Sequence, residues 1–279
     1  MTALFIGVVS HEKSRFSVSQ GPDGLAAQLA DALRPTGVDV TVRVMTENLL
    51  DEARTPVTEA MVQASLTEQL HLDRRWAAYL GRSRGPIWWA THAGRWARRA
   101  EQKMRSPGIG MVRRLLNIEL AHFALLRAGI DSGADWILVL EDDGASVDVT
   151  DCAAGLADLM TAEPQPAFVN VSQSFTNAEL GIEHLLAPAD RAWGGSAARA
   201  VLSASRPVTN TVCAILYRRS FATSLLAVLE ALPMEPVVPI DWKLNLALMQ
   251  MFESGQLGPG DCWLVDPAPI DQLSMRSTG

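Results

Sequence analysis

The stretch Trp136-Ile137-Leu138-Val139-Leu140-Glu141-Asp142-Asp143-Gly144 constrains this chain more than any other, because five apolar residues run straight into three carboxylates and a glycine. So short an apolar run, partly β-branched and opened by an aromatic residue, predicts a strand buried on both faces rather than a helix segment. The three acids then stand where that strand leaves the sheet. In open α/β sheets ligands bind at the carboxyl ends of the strands, and like charges this close repel one another unless a cation or several donors neutralise them. A divalent metal is the economical solution, since Mg²⁺ and Mn²⁺ prefer carboxylate oxygen and share it with substrate phosphates. A solvated acidic turn is the alternative.

Upstream, Leu4 to Val9 predicts a first buried strand ending in the polar loop Ser10 to Arg15. Gly24 to Leu33 carries Leu25, Leu29 and Leu33 at helical spacing before Pro35 and Gly37 stop it, and Val38 to Met45 alternates as a second strand. This β-α-β start belongs to a parallel doubly wound sheet, in which the Ser10–Arg15 loop lies at the same edge as the acids. Neither G-x-G-x-x-G nor G-K-[ST] occurs, so a dinucleotide fingerprint and a P-loop are not supported. With 279 residues, 48% of them hydrophobic, the chain is long enough for one large α/β domain. Its net charge of −7 argues against a nucleic-acid partner. Cys152, Cys213 and Cys262 are odd in number, far apart and without C-x-x-C spacing, which suggests neither a disulfide framework nor a zinc cluster. The apolar start meets His11, Glu12 and Lys13 too soon for a signal peptide. No run approaches the roughly 18 apolar residues of a membrane span, and the cytoplasm is the expected compartment.

After the second strand the pattern predicts a helical insertion over about 55–106. From Arg74 to Arg114 there are 11 Lys plus Arg against the single acid Glu101, a local +10 in a chain of net −7 that leaves −17 on the remainder. Trp89, Ala93, Trp96, Ala97, Ala100 and Met104 share one helical face while Arg95, Arg98, Arg99 and Lys103 gather on others. Such a helix either packs its tryptophans on the sheet or lies on an anionic surface. In the second case residues 88–105 make a peripheral contact with the inner face of the plasma membrane.

Arg113 to Leu126 predicts a strong helix that leads through Gly129 and Gly133 into the acid-bearing strand. A helix with Glu119 and His122, the strand end Trp136 to Asp143, the apolar segment Val212 to Leu226, Pro239-Ile240-Asp241 and Pro267-Ala268-Pro269-Ile270-Asp271-Gln272 follow one another in that order. This ordered set resembles the GT-A fold glycosyltransferases, and among them it looks most like the lipooligosaccharide and procollagen galactosyltransferase family. The resemblance implies an α/β GT-A fold over residues 1–279: a Rossmann-like mixed sheet flanked by helices, interrupted by the helical insertion. It also implies transfer of a hexose, with inversion, from a nucleotide diphosphate sugar to a hydroxyl of a glycan, lipid-linked sugar or small metabolite. Glu141 and Asp143 then take the outer positions of a D-x-D-like motif that holds Mn²⁺ or Mg²⁺ on the diphosphate, with Asp142 acting through the ribose or a water ligand. Ser10, Glu12, Arg15 and Arg114, with Ser274, Arg276 and Ser277 of a mobile closing tail, complete the expected donor-binding set. The first loop departs from the asparagine-leucine-basic opening usual in that family, and the Trp- and Arg-rich insertion is not part of its pattern. A nucleotidyltransferase of similar topology and a non-catalytic scaffold remain as alternatives.

Inverting transfer requires a base on an element other than the metal strand. Asp241 fits this demand: it follows Pro239, stands beside Trp242, and matches the P-x-D position of the family. Capping the helix predicted over Leu244 to Met251 is its other reading, and Glu183, Asp190 and Glu235 are rivals in stretches that read as loop. The remaining periodicity predicts strands at Phe168 to Val171 and Val212 to Tyr217, a helix from Ser220 to Leu232 capped by Ser220, and an irregular Asp190 to Gly195.

Overall fold

The structure is a computed structural model that describes residues 2–11, 14, 16, 24–81, 108–195, 198–209 and 211–276. Its strands are β1 (Ala3–Val9), β2 (Asp39–Met45), β3 (Trp136–Glu141), β4 (Gly144–Ala145), β5 (Phe168–Asn170), β6 (Ser172–Gln173), β7 (Leu186–Ala192), β8 (Ala200–Ala204), β9 (Ala214–Arg218), β10 (Cys262–Asp266) and β11 (Ile270–Gln272). The helices are α1 (Leu25–Leu33), α2 (Glu59–Tyr79), α3 (Gly108–Asp131), α4 (Val149–Met160), α5 (Asn177–Leu180), α6 (Arg219–Ala231), α7 (Ile240–Glu253) and α8 (Leu273–Arg276).

Eight strands form one mixed sheet in the order β2-β1-β3-β9-β5-β10-β8-β7. β1 pairs in parallel with β2, as the β-α-β reading requires, and also with β3, whereas β9 lies antiparallel between β3 and β5. Helices cover both faces, which is why β3 reads as an unbroken apolar run. Ile137 and Val139 point into the core shared with α3, α6 and α7, while Trp136, Leu138 and Leu140 point into the core shared with α1 and α4. This is an α/β architecture compatible with a Rossmann-like fold.

Two glycines let α3 lie close on this sheet. A Cβ at Gly129 would come within 2.8 Å of Ile137, and one at Gly7 within 3.0 Å of Leu125. The close approach brings Glu119 and His122, on the buried side of α3, to the neighbourhood of the strand ends.

Several boundaries differ from expectation. The helix α6 begins at Arg219 with Arg218 at its N-cap and no side-chain cap, so Ser220 is not the capping residue. Asp190 lies within β7 rather than in irregular chain. The tail around Ser274 forms the single turn α8. Pro239 caps α7, which makes Asp241 its second helical residue and not the cap. Proline is at home there, since a cap position needs no backbone donor. Of the predicted insertion, α2 is seen, capped by Thr58, while the Trp- and Arg-rich 82–107 lies outside the described residues. No helix among the described residues is long and apolar enough to cross a membrane.

Candidate functional site

The acids sit at the carboxyl end of β3, beside the end of β1. The register pairs Val9 with Glu141, and Asp142 continues the ladder by donating its N–H to Val9 O at 3.0 Å. The loop after β1 therefore meets the acidic turn, and Ser10 Oγ donates to Asp142 Oδ2 at 2.8 Å. On the other side β9 delivers Cys213, whose carbonyl accepts from Glu141 N at 2.8 Å and whose thiol lies 3.8 Å from Asp143 Oδ1. Asp143 is almost fully buried and Glu141 is partly so.

A second, three-stranded sheet, β4-β11-β6, closes over the turn. Gln272 pairs with Gly144, Leu273 N donates to Asp143 O at 2.9 Å, and Gln272 Nε2 lies 3.4 Å from Glu141 Oε2. Gly144 is tightly enclosed at this point: a Cβ there would stand 3.2 Å from Glu141 O and 3.5 Å from Ile270 of β11.

Opening from the acids is a pocket of about 970 Å³. Ser10, Arg114, Glu141, Asp142, Asp143 and Ser274 all line it, so residues from β1, α3, β3 and α8 that are far apart in sequence converge as expected. His11, Phe16, Asn48, Asn117 and Gln272 add further walls. Arg113 is tied to Glu52 at 2.8 Å, while its neighbour Arg114 is exposed. Glu12, Arg15, Ser277 and the Arg276 side chain lie outside the described residues.

Glu141 and Asp143 each offer a carboxylate oxygen within 4.8 Å of the other and of Cys213 Sγ, close enough for one ion. The donor chemistry fits a hard cation through the two carboxylates. Burial, with the nearby Glu141 and Asp143, raises the Cys213 thiol well above its usual range. It stays protonated and is a poor partner for Mg²⁺ or Mn²⁺.

Behind the acids lies a group of polar side chains that sequence reasoning did not assemble. His122 of α3 is buried, its Nε2 is 3.7 Å from Glu141 Oε1, and that nitrogen has no hydrogen-bond partner among the described residues. One turn earlier Glu119 holds the buried Lys243 ammonium of α7 at 2.5 Å. Asp241, two residues before Lys243, is half-buried and feels both Glu141 and His122. Burial is the main reason its carboxyl is pushed up from 3.8 to about 6; Glu141 raises it further, while the N–H groups of Trp242 and Asp241 itself pull it back. The carboxylate thus serves the first turn of α7 and lies within electrostatic reach of Glu141. Among the described residues neither Asp241 nor the rivals Glu183, Asp190 and Glu235 line this pocket; of the four, Asp241 is the one whose carboxyl feels Glu141.

No protein-family model and no curated protein matches the sequence.

Proposed function

We propose that the protein is a metal-dependent glycosyltransferase of the GT-A type, moving a hexose from a nucleoside diphosphate sugar to an acceptor hydroxyl with inversion. The carrying observation is that Glu141 and Asp143, at the carboxyl end of a buried strand, open onto a pocket of about 970 Å³, while Asp241 on a different helix lies within electrostatic reach of Glu141. The sheet supports the reading: a parallel β2-β1-β3 half is followed by an antiparallel strand, and a small sheet folds over the acids.

Glu141 and Asp143 would hold a divalent cation, which when bound would neutralise charge growing on a departing diphosphate. The remaining chemistry belongs to side chains. Ser10 fixes Asp142 through its hydroxyl, keeping that carboxylate at the pocket wall beside the two ligands. Arg114 and Ser274 contribute a guanidinium and a hydroxyl to the same wall, both suited to phosphate oxygens. Asp241 accepts the proton of the acceptor hydroxyl as the new bond forms, and its raised carboxyl makes it a stronger base than an ordinary aspartate.

Thermal stability in a panel of UDP- and GDP-hexoses with Mn²⁺ tests the donor side. A ligand that binds only the folded state adds RT ln(1 + [L]/Kd), about 2.7 kcal/mol at a hundredfold excess over Kd. The wild type is expected to gain melting temperature with one nucleotide sugar and Mn²⁺ together, and Asp143→Asn to gain none. Equal shifts in the two proteins would rule out the assignment of Asp143.

A further inference from the structure

We infer that Gln272 is a positioning residue that sets the orientation of Glu141, so that this carboxylate is presented to a cation in one fixed pose. The inference rests on the proposed cation site and extends it to a residue that would touch no metal.

The assignment follows from the directions of the hydrogen bonds around the Gln272 amide. Thr211 Oγ1 accepts the N–H of Cys213 at 3.2 Å and lies 3.3 Å from Gln272 Oε1, so its own proton is free to point at the amide oxygen. Ser174 Oγ donates to the same oxygen. An amide oxygen claimed by two hydroxyls leaves its NH₂ facing the other way, and there it meets Glu141 Oε2 at 3.4 Å. The other Glu141 oxygen faces His122 at 3.7 Å. Glu141 is therefore bracketed, with its two oxygens distinguished by different neighbours.

The choice of an amide matters electrostatically. A lysine or arginine at this position would neutralise Glu141 and compete with a cation, whereas a neutral donor restrains the carboxylate and leaves its charge in place. The backbone makes the restraint stiff: Gln272 pairs with Gly144 and the next N–H bonds to Asp143 O, so the amide is anchored to the turn whose carboxylate it orients. Groups that hydrogen-bond a ligating carboxylate in this manner typically change metal affinity by about 10- to 100-fold when removed.

Mn²⁺ titration of the full-length protein without substrate, followed by the loss of free-ion signal in electron paramagnetic resonance, measures this directly. Gln272→Met keeps the length of the side chain and removes the donor. It should weaken Mn²⁺ binding about 10- to 100-fold, and Ser174→Ala, which loosens the amide without removing it, should weaken binding by less. Melting temperature in EDTA reports folding separately; if Gln272→Met fails to fold, Ser174→Ala decides by the same titration. Folded variants with wild-type Mn²⁺ affinity would overturn the role of Gln272 and leave the cation site standing. A wild type that binds no Mn²⁺ would overturn the cation site itself, and this inference with it.

Discussion

Asp241→Asn should fold, bind nucleotide sugar as the wild type does, and turn over roughly 10²- to 10⁴-fold more slowly. The asparagine keeps one oxygen to accept the first-turn N–H groups of α7, so a purely helix-stabilising Asp241 would lose little. As a base it would lose its function entirely. The pH profile provides an independent mark. With its carboxyl raised to about 6 in the cation-free protein, Asp241 must lose its proton to act, so kcat/KM should fall as pH drops through that region. That limb should be missing from the residual activity of Asp241→Asn. Stability runs in the opposite sense. A folded-state value raised from 3.8 means that the native state binds the proton more tightly than the unfolded chain does. The stabilisation from this proton is full below 3.8 and is lost as pH rises through about 6. Melting curves should therefore show Asp241→Asn gaining on the wild type between pH 4 and pH 8. An unchanged gap would contradict the burial of this carboxyl, and near-normal turnover would remove it from catalysis.

Lys243→Met should destabilise the protein by about 3–5 kcal/mol, because it strands the buried Glu119 carboxylate without its cation. The ammonium and the carboxylate are both nearly sealed from solvent, and Glu119 Oε2 already lacks a hydrogen-bond partner, so nothing among the described residues replaces the lost charge. Burial already holds the Glu119 carboxyl above its usual range even with Lys243 beside it. In a chain of this size the change corresponds to a melting point lower by roughly 10 °C. Pairing it with Glu119→Leu should return most of the loss, since replacing a whole buried pair by apolar groups of similar volume is often close to neutral. Calorimetry on the single and double variants decides. Equal destabilisation of both would mean that the α3–α7 contact is lost through packing rather than through charge.

How far the sequence foretold this arrangement depends on where each signal is carried. β3 and its acids were legible because a strand covered on both faces must be apolar at every position, and the change to three carboxylates marks its end. The parallel pairing of β1 with β2 followed from the β-α-β pattern, and with it the loop after β1 at the edge that carries the acids; that β1 also pairs with β3, so that Ser10 meets Asp142, was not legible. The antiparallel insertion of β9 between β3 and β5 was not legible, because an apolar run does not record its direction. Cys213 and Thr211 arrive at the site through that strand, and so were missed as neighbours of Asp143 and Gln272. The strands β4, β6 and β11 are two or three residues long, too short for any period, and they exist because the small sheet needs them around the acidic turn. β10 was missed for a different reason, being a four-residue apolar run, Cys262 to Val265, among turns that could equally have belonged to loop. Lys243 reads as a solvated position on any helix, and only its partner 124 residues away explains its burial. His122 was noted with its helix, but its approach to Glu141 depends on the missing Cβ atoms at Gly7 and Gly129 that let α3 sit down on the sheet.

Release of nucleoside diphosphate from UDP- and GDP-hexoses, measured with Mn²⁺ and again in EDTA for the wild type, Asp143→Asn and Asp241→Asn, tests the central claim most directly. The account predicts slow Mn²⁺-dependent release from one nucleotide sugar without acceptor, faster release when the acceptor hydroxyl is supplied, and loss of both in Asp143→Asn. Asp241→Asn should still bind that donor with Mn²⁺ while its release no longer responds to acceptor. Release that persists undiminished in EDTA and in Asp143→Asn, or no binding of any nucleotide sugar with any divalent cation, would contradict it.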